Sequence, residues 1–106
     1  MNAPAAQRLP ADFASELERK FFWWPAPEPR SDDRILAQAM DLAPFDVVRR
    51  LETKVGPQRL VEVMRNAQPG WISERSWEFW RGRLARATGA QIHDAPPRRS
   101  FDAQPT

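Results

Sequence analysis

The sequence predicts an all-α fold, a compact bundle of about five short helices between disordered termini. Apolar residues recur at helical spacing in several segments, and no segment alternates apolar and polar residues as a half-buried strand would. Proline or glycine stands where one periodic segment gives way to the next. The 106 residues suit one domain. We expect a flexible leader over 1–10, a helical domain over 11–88 and a disordered tail over 89–106 that lacks a periodic apolar face.

The first helix is predicted over 12–22, with Asp12 as its N-cap. Its apolar stripe consists of Phe13, Leu17 and Phe21. The segment FFWWPAPEPR, residues 21–30, follows, and no single helical face hides its four adjacent aromatic residues. Its alternating prolines predict an extended, stiff link over 25–30. Phe21 continues the stripe of the first helix, and we expect Trp24, the last residue before the prolines, to be the hardest of the four aromatic residues to bury.

The other helix boundaries follow from capping residues, prolines and glycines. Ser31 is a predicted N-cap, and the two carboxylates after it favour a helix start that continues to about Leu42. The third helix is expected between Pro44 and a C′ glycine at Gly56. The fourth helix covers 57–68, and the fifth covers 73–88 with Ser73 as its N-cap.

The fifth helix carries aromatic residues on two faces. Trp77, Trp80 and Leu84 form its apolar stripe, while Phe79 falls on the opposite side. Arg75, Arg83 and Arg86 surround Phe79 on that side. One interpretation is an exposed aromatic that binds a partner or stacks on a base. The other, which we favour from sequence, is a centrally placed helix whose arginine stems cover Phe79.

Charge and composition limit the classes of function. The calculated pI is near 9.9, but the net charge at neutral pH is only +2. The positive electrostatic field around the protein is therefore weak. There is no cysteine, which excludes disulfides and thiolate metal sites. The first ten residues lack the apolar core of a signal peptide, and no apolar run is long enough to cross a bilayer. We therefore expect a cytoplasmic protein without a membrane contact.

The sequence contains no recognisable catalytic or metal-binding pattern. His93 is the only histidine and falls in the predicted tail, which cannot position a base. Asp32 and Asp33 are carboxylates of the kind that hard cations prefer, but a helix start explains them without a metal. No phosphate-binding loop, dinucleotide-binding glycine motif or zinc-protease motif is present. The prediction is a protein that is not an enzyme, with no cofactor and no metal.

A small DNA-binding regulator is the alternative function. The helices at 57–68 and 73–88 would form a helix-turn-helix pair, with Ser73, Arg75 and Ser76 facing the bases. The connection between them is long for this motif, and glutamates interrupt the basic residues. Nucleic-acid binding is therefore the weaker of the two hypotheses.

Several motifs resemble a known family. An aromatic end to helix one is followed by Ile-Leu-x-x-x-Met, Phe-Asp-x-Val-x-x-Leu, Val-Gly-x-x-x-Leu-x-x-Val and Ser-x-x-Ser-Trp-x-Phe-Trp. Over about residues 13–84 this order resembles a bacterial family of small helical domains of unknown function. Genes of that family often lie beside AbiEii-type nucleotidyltransferase toxins. At the matching positions, Phe22 and Trp23 form an aromatic peg, and Phe79 and Trp80 close the domain.

The resemblance implies a protein-interaction module, an antitoxin or accessory partner of a nucleotidyltransferase-type toxin. Ordering of the tail on binding is one possible device, and a homodimer is also compatible with so many aromatic residues. The expected partner-binding residues are Trp23, Trp24, Arg75, Phe79, Arg83, Arg86, Arg98, Arg99 and Phe101. In two places the chain departs from the family pattern. Trp24 is followed by a proline run where the family has Trp-Asp-Val, and Val55 stands where the family has a large aromatic residue.

Overall fold

The computed structural model describes residues 9–24 and 28–98, and five α-helices account for most of them. The helices are α1 (Ala11–Phe21), α2 (Asp32–Leu42), α3 (Phe45–Lys54), α4 (Pro57–Asn66) and α5 (Glu74–Thr88). These described ranges contain no strand, so the all-α prediction is confirmed. The expectations for residues 1–8, for 25–27 of the proline link and for 99–106 lie outside the described residues.

Two of the predicted N-caps are confirmed, and the third is wrong. The hydroxyls of Ser31 and Ser73 accept hydrogen bonds from the backbone N–H groups of Arg34 and Ser76, at 3.1 Å and 3.3 Å. Helix α1 instead starts after Pro10, whose carbonyl accepts from the N–H of Ala14 at 2.9 Å. Asp12 therefore lies inside the first turn, where its carboxylate accepts from the neighbouring backbone N–H and faces the positive end of the helix dipole.

At the junction between α3 and α4, a glycine ends one helix and a proline begins the next, as the sequence predicts. Gly56 has a φ of 94°, a conformation that residues with a side chain rarely adopt. Its N–H and that of Val55 both donate to the carbonyl of Leu51, which closes the last turn of α3. Pro57 then occupies the first position of α4, where its missing N–H costs nothing.

Side chains from other helices cap the ends of α1 and α2, because a proline follows each end. The carbonyls of Phe21 and Met40 would normally accept from residues 25 and 44, which are both prolines without an N–H. The side-chain amide of Gln38 donates to the Phe21 carbonyl at 3.1 Å, and the Trp80 indole donates to the Met40 carbonyl at 2.9 Å. Both bonds are buried, so they satisfy groups that water cannot reach.

The hydrophobic core is organised around α2, which packs against α1, α4 and α5. Six consecutive residues of α2 are buried, from Ile35 to Met40. The predicted stripes of α1 and α5 face this helix and are buried: Phe13, Leu17, Phe21, Trp77, Trp80 and Leu84. The central element is therefore α2. The sequence had led us to expect the fifth helix in that place.

Residues 89–98 contain no helix and follow the end of α5; we call them the strap. Its carbonyls accept hydrogen bonds from two helices: the Trp77 indole donates to His93 at 2.7 Å, and Arg65 of α4 donates to Gln91 at 2.8 Å. Ile92 packs against the core. Contacts with the core therefore continue beyond residue 88, and the domain limits of 11–88 stay a prediction.

Candidate interaction surfaces

A groove of about 300 Å³ opens between the start of α3 and the outer side of α5, and we call it the α3–α5 groove. Phe45 and Phe79 form its two walls, and Met40, Val48 and Trp80 lie beneath them. The lining is mostly apolar, with polar groups confined to Asp41, Arg75 and Ser76. A concave apolar surface with a few polar groups is the usual form of a recognition site.

The two phenylalanine walls are exposed to solvent. Phe45 is 59% exposed and Phe79 is 45% exposed. The interpretation favoured from sequence, in which arginine stems cover Phe79, is therefore wrong. The Arg83 guanidinium lies 5.5 Å from the Phe45 ring centroid and 5.9 Å from that of Phe79, within range of a cation–π contact with each ring. Bidentate hydrogen bonds to Glu52 hold Arg83 in this position, and both rings stay largely open to solvent.

The predicted arginines around Phe79 have different environments. Arg75 lies at the edge of the groove, exposed, and forms no ion pair within the described residues. Arg83 is half-buried and paired with Glu52, as described above. Arg86 is exposed on the same helix but does not line the groove. The structure therefore brings Arg75, Phe79 and Arg83 together as predicted.

A second exposed aromatic surface lies at the end of α1, and we call it the tryptophan pair. Trp23 is 76% exposed and Trp24 is 40% exposed, with ring centroids 5.0 Å apart in an edge-to-face arrangement. The expected peg is thus only half right, since Phe22 is buried while Trp23 is not. The reason is that α1 ends at Phe21 and the next residue is extended, so the helical period no longer sets which side chains face the core. The expectation that Trp24 is the hardest of the four aromatic residues to bury is wrong, because Trp23 is the more exposed.

Arg30 anchors the tryptophan pair to the bundle. Its guanidinium lies 3.9 Å from the Phe22 ring centroid and donates to the Trp24 carbonyl at 2.8 Å and to the Glu18 carboxylate at 2.7 Å. The Arg34 guanidinium lies 5.2 Å from the Phe22 ring centroid and 5.4 Å from the Trp71 ring centroid. Burial, followed by the charge of Arg30, lowers the pKa of Arg34. The residues that form this surface do not line the α3–α5 groove.

The residues predicted after α5 are only partly described. Arg98 forms an exposed ion pair with Glu74, the first residue of α5, at 3.3 Å. Arg99 and Phe101 lie outside the described residues. Phe45 was not among the residues predicted to contact a partner. Its position off the stripe formed by Val47, Val48 and Leu51 was the signal that could have identified it.

At the start of α5, contacts within the protein engage most of the residues that the helix-turn-helix alternative expects to face the bases. Ser73 is occupied as the N-cap, and its N–H donates to the Asp41 carboxylate at 2.9 Å. The Ser76 hydroxyl donates to the Asp41 carbonyl at 2.9 Å. Of the three expected base-reading residues, only Arg75 projects without such a contact. The Asp41 carboxylate beside them would also repel phosphate.

Other titratable groups form structural contacts. Asp32 accepts from the N–H of Leu9 at 3.0 Å, and Asp33 pairs with Arg59 of α4. Within residues 9–24 and 28–98 there is no cluster of three or more histidine or carboxylate side chains arranged to hold a metal ion. In the same ranges, no helix combines the length and apolarity that a membrane span requires.

Comparisons with known proteins give no match: no family model, no curated protein and no solved structure is similar to this chain. The family resemblance of the motifs therefore remains an expectation.

Proposed function

We propose that the chain is a protein-interaction module whose α3–α5 groove binds a protein partner. The observation that carries this proposal is the pair of exposed phenylalanines, Phe45 and Phe79, facing one concavity beside Arg75 and Arg83. Aromatic and arginine side chains dominate binding energy at protein interfaces, especially around a concave centre. A small domain gains stability by burying such rings, so leaving two of them exposed favours an interface.

The partner expected from the motif resemblance is a nucleotidyltransferase-type toxin, with this chain as a cytoplasmic antitoxin or accessory protein in a bacterium. Binding would neutralise the toxin by packing against it and would require no catalysis by this chain. The tryptophan pair is the second contact surface under this hypothesis. A homodimer through either surface would compete with the partner.

The test is binding to the product of the adjacent gene, measured with the purified chain. Phe79→Ala should weaken binding at least about tenfold, because truncating an aromatic hot-spot residue at the centre of an interface costs about 2 kcal/mol or more. Its unfolding free energy should change far less than that of a core variant, because Phe79 is about half exposed already. Trp23→Ala is the matched variant on the other surface.

The result separates the two surfaces. If Trp23→Ala abolishes binding while Phe79→Ala and Phe45→Ala do not, the tryptophan pair is the interface and the groove proposal is wrong. If the wild-type chain shows no binding at micromolar concentration, the proposed partner is wrong.

A DNA-binding regulator remains the second candidate, on the exposed cations of α5. Arg75 and Arg86 are both exposed on that helix. Duplex DNA affinity that falls steeply with the logarithm of salt concentration, and with a shallower slope in Arg75→Ala, would support it. If no binding to duplex DNA is detected at low salt, this candidate is excluded.

A further inference from the structure

We propose that the α3–α5 groove is the docking site of the chain's own segment 99–106, with Phe101 inserted between Phe45 and Phe79. The segment would then cover the surface that the proposed function assigns to a protein partner, and it would compete with that partner. The regulatory consequence rests on the proposed function, whereas the docking itself is a property of the isolated chain.

The last described residue of the chain contacts the N-terminal end of α5, close to the groove. Arg98 forms its ion pair with Glu74, at the first turn of α5. The next residue of that turn, Arg75, already belongs to the groove. Three further residues of extended chain span about 10 Å, which is close to the diameter of a helix with its side chains. Three residues of extended chain, together with the length of the phenylalanine side chain, therefore match the distance needed to pass the N-terminal end of α5.

The second argument is apolar complementarity. The groove presents two exposed rings and buried apolar side chains beneath them, a lining that suits one aromatic side chain. The segment 99–106 reads RSFDAQPT, and Phe101 is its only large apolar residue. One ring and one concavity that fits a ring thus lie within reach of each other. Insertion would place the Phe101 ring beside Phe45 and Phe79, where edge-to-face aromatic contacts form.

The third argument is charge. Asp102 directly follows Phe101 in the sequence. Arg75, at the edge of the groove, forms no ion pair within the described residues. The Asp41 carboxylate, the acidic group of the lining, is already engaged by the N–H of Ser73. An Asp102–Arg75 pair would therefore fix the direction in which the segment lies along the groove.

The test uses backbone amide resonances of the full chain, comparing wild type with Phe101→Ala. Docking predicts shifts confined to the groove, at Phe45, Arg75 and Phe79. Gln104→Ala, in the same segment but without an assigned contact, is the matched control and should leave these resonances in place.

A synthetic peptide of residues 99–106 added to the Phe101→Ala chain should restore the wild-type positions. Because a short tether gives an effective concentration in the millimolar range, half-saturation should fall at or below about 1 mM. The same peptide with alanine at the Phe101 position should not restore them.

Two outcomes would overturn the proposal. Groove resonances that are identical in wild type and Phe101→Ala mean that the segment does not dock. Shifts that change on dilution of the wild-type chain mean that a second copy, rather than the chain's own segment, occupies the groove.

Partner binding then distinguishes this inference from the proposed function. If both hold, Phe101→Ala should bind the partner about two- to tenfold more tightly than wild type, because more grooves are free. Loss of partner binding in Phe79→Ala with no effect of Phe101→Ala on the groove refutes only the docking. If the groove resonances show that the segment docks, but Phe79→Ala leaves partner affinity unchanged, only the proposed function is refuted.

Discussion

Trp80→Phe tests whether a side chain from α5 completes the end of α2. In the native fold the Trp80 indole donates to the buried Met40 carbonyl, which has no helical donor because residue 44 is proline. Phenylalanine keeps an aromatic ring but removes this donor. Leaving a buried carbonyl unpaired costs about 1–3 kcal/mol, and the lost ring atoms add roughly 1 kcal/mol as a cavity. The expected loss of unfolding free energy is therefore about 2–4 kcal/mol.

Two other tryptophans provide matched controls. Trp77 is also buried, but its indole donates to the His93 carbonyl in the strap, where water can replace the lost donor. Trp77→Phe should therefore cost roughly 1–2 kcal/mol, mainly from packing. Trp23 is mostly exposed, and Trp23→Phe should change stability by less than about 0.5 kcal/mol.

Urea unfolding followed by circular dichroism measures all three variants on one scale. At about 4–8 °C per kcal/mol for a domain of this size, Trp80→Phe should also lower the thermal midpoint by about 8 °C or more. If Trp80→Phe costs no more than Trp77→Phe, the unpaired carbonyl carries no penalty and the capping argument is refuted.

Three further predictions concern two helix ends and one ion pair. Gly56→Ala should lower the free energy of unfolding in urea by about 1–3 kcal/mol, because the φ of 94° at this position disfavours any side chain. Gly82→Ala is the control: it lies inside α5 with nothing near the new methyl group, and it should raise the free energy of unfolding by about 0.5–1 kcal/mol. Equal effects of the two substitutions would contradict this prediction. Ser73→Ala should cost about 0.5–2 kcal/mol in the same assay, and a smaller loss would mean that the cap is dispensable. The hydrogen bond from Arg50 lowers the pKa of Glu16, so its stabilisation is present above the unfolded pKa and is lost as pH falls through the folded one. Glu16→Gln should flatten the decline in stability below about pH 4, and an unchanged pH profile would argue against this pair.

Local features of the fold could be predicted from the sequence, because their causes lie within a few residues. Ser31 and Ser73 cap helices, and Gly56 followed by Pro57 separates two of them, through geometry that neighbouring residues set on their own. The α1 start was misplaced because Asp12 satisfies a capping pattern that the preceding Pro10 pre-empts. The burial of Phe22 but not Trp23 depends on an extended residue after α1, which periodicity does not describe.

The candidate site depends on contacts between distant helices, which the sequence pattern does not encode. Phe79 and its arginines were visible as one face of α5, although the interpretation favoured from sequence had arginine stems covering Phe79, and only Arg75 of the three arginines lines the groove. Phe45 joins them only because the fold brings α3 close to α5, as the Arg83–Glu52 ion pair between these two helices also shows. The exposure of Phe79 also required the structure, since the sequence pattern does not show that Glu52 of α3 engages Arg83.

Trp80 links the groove to the stability of the whole domain. The same side chain lies beneath the groove and caps α2, so the groove cannot deepen or reshape without exposing the Met40 carbonyl. A ligand should therefore meet a preformed surface and bind with little backbone movement. For an occupant from another molecule that binds the Phe101→Ala chain, in which the segment 99–106 no longer competes, the observed association rate should rise in proportion to the concentration of that molecule without reaching a plateau. Differences in affinity among groove variants should then appear mainly in the dissociation rate.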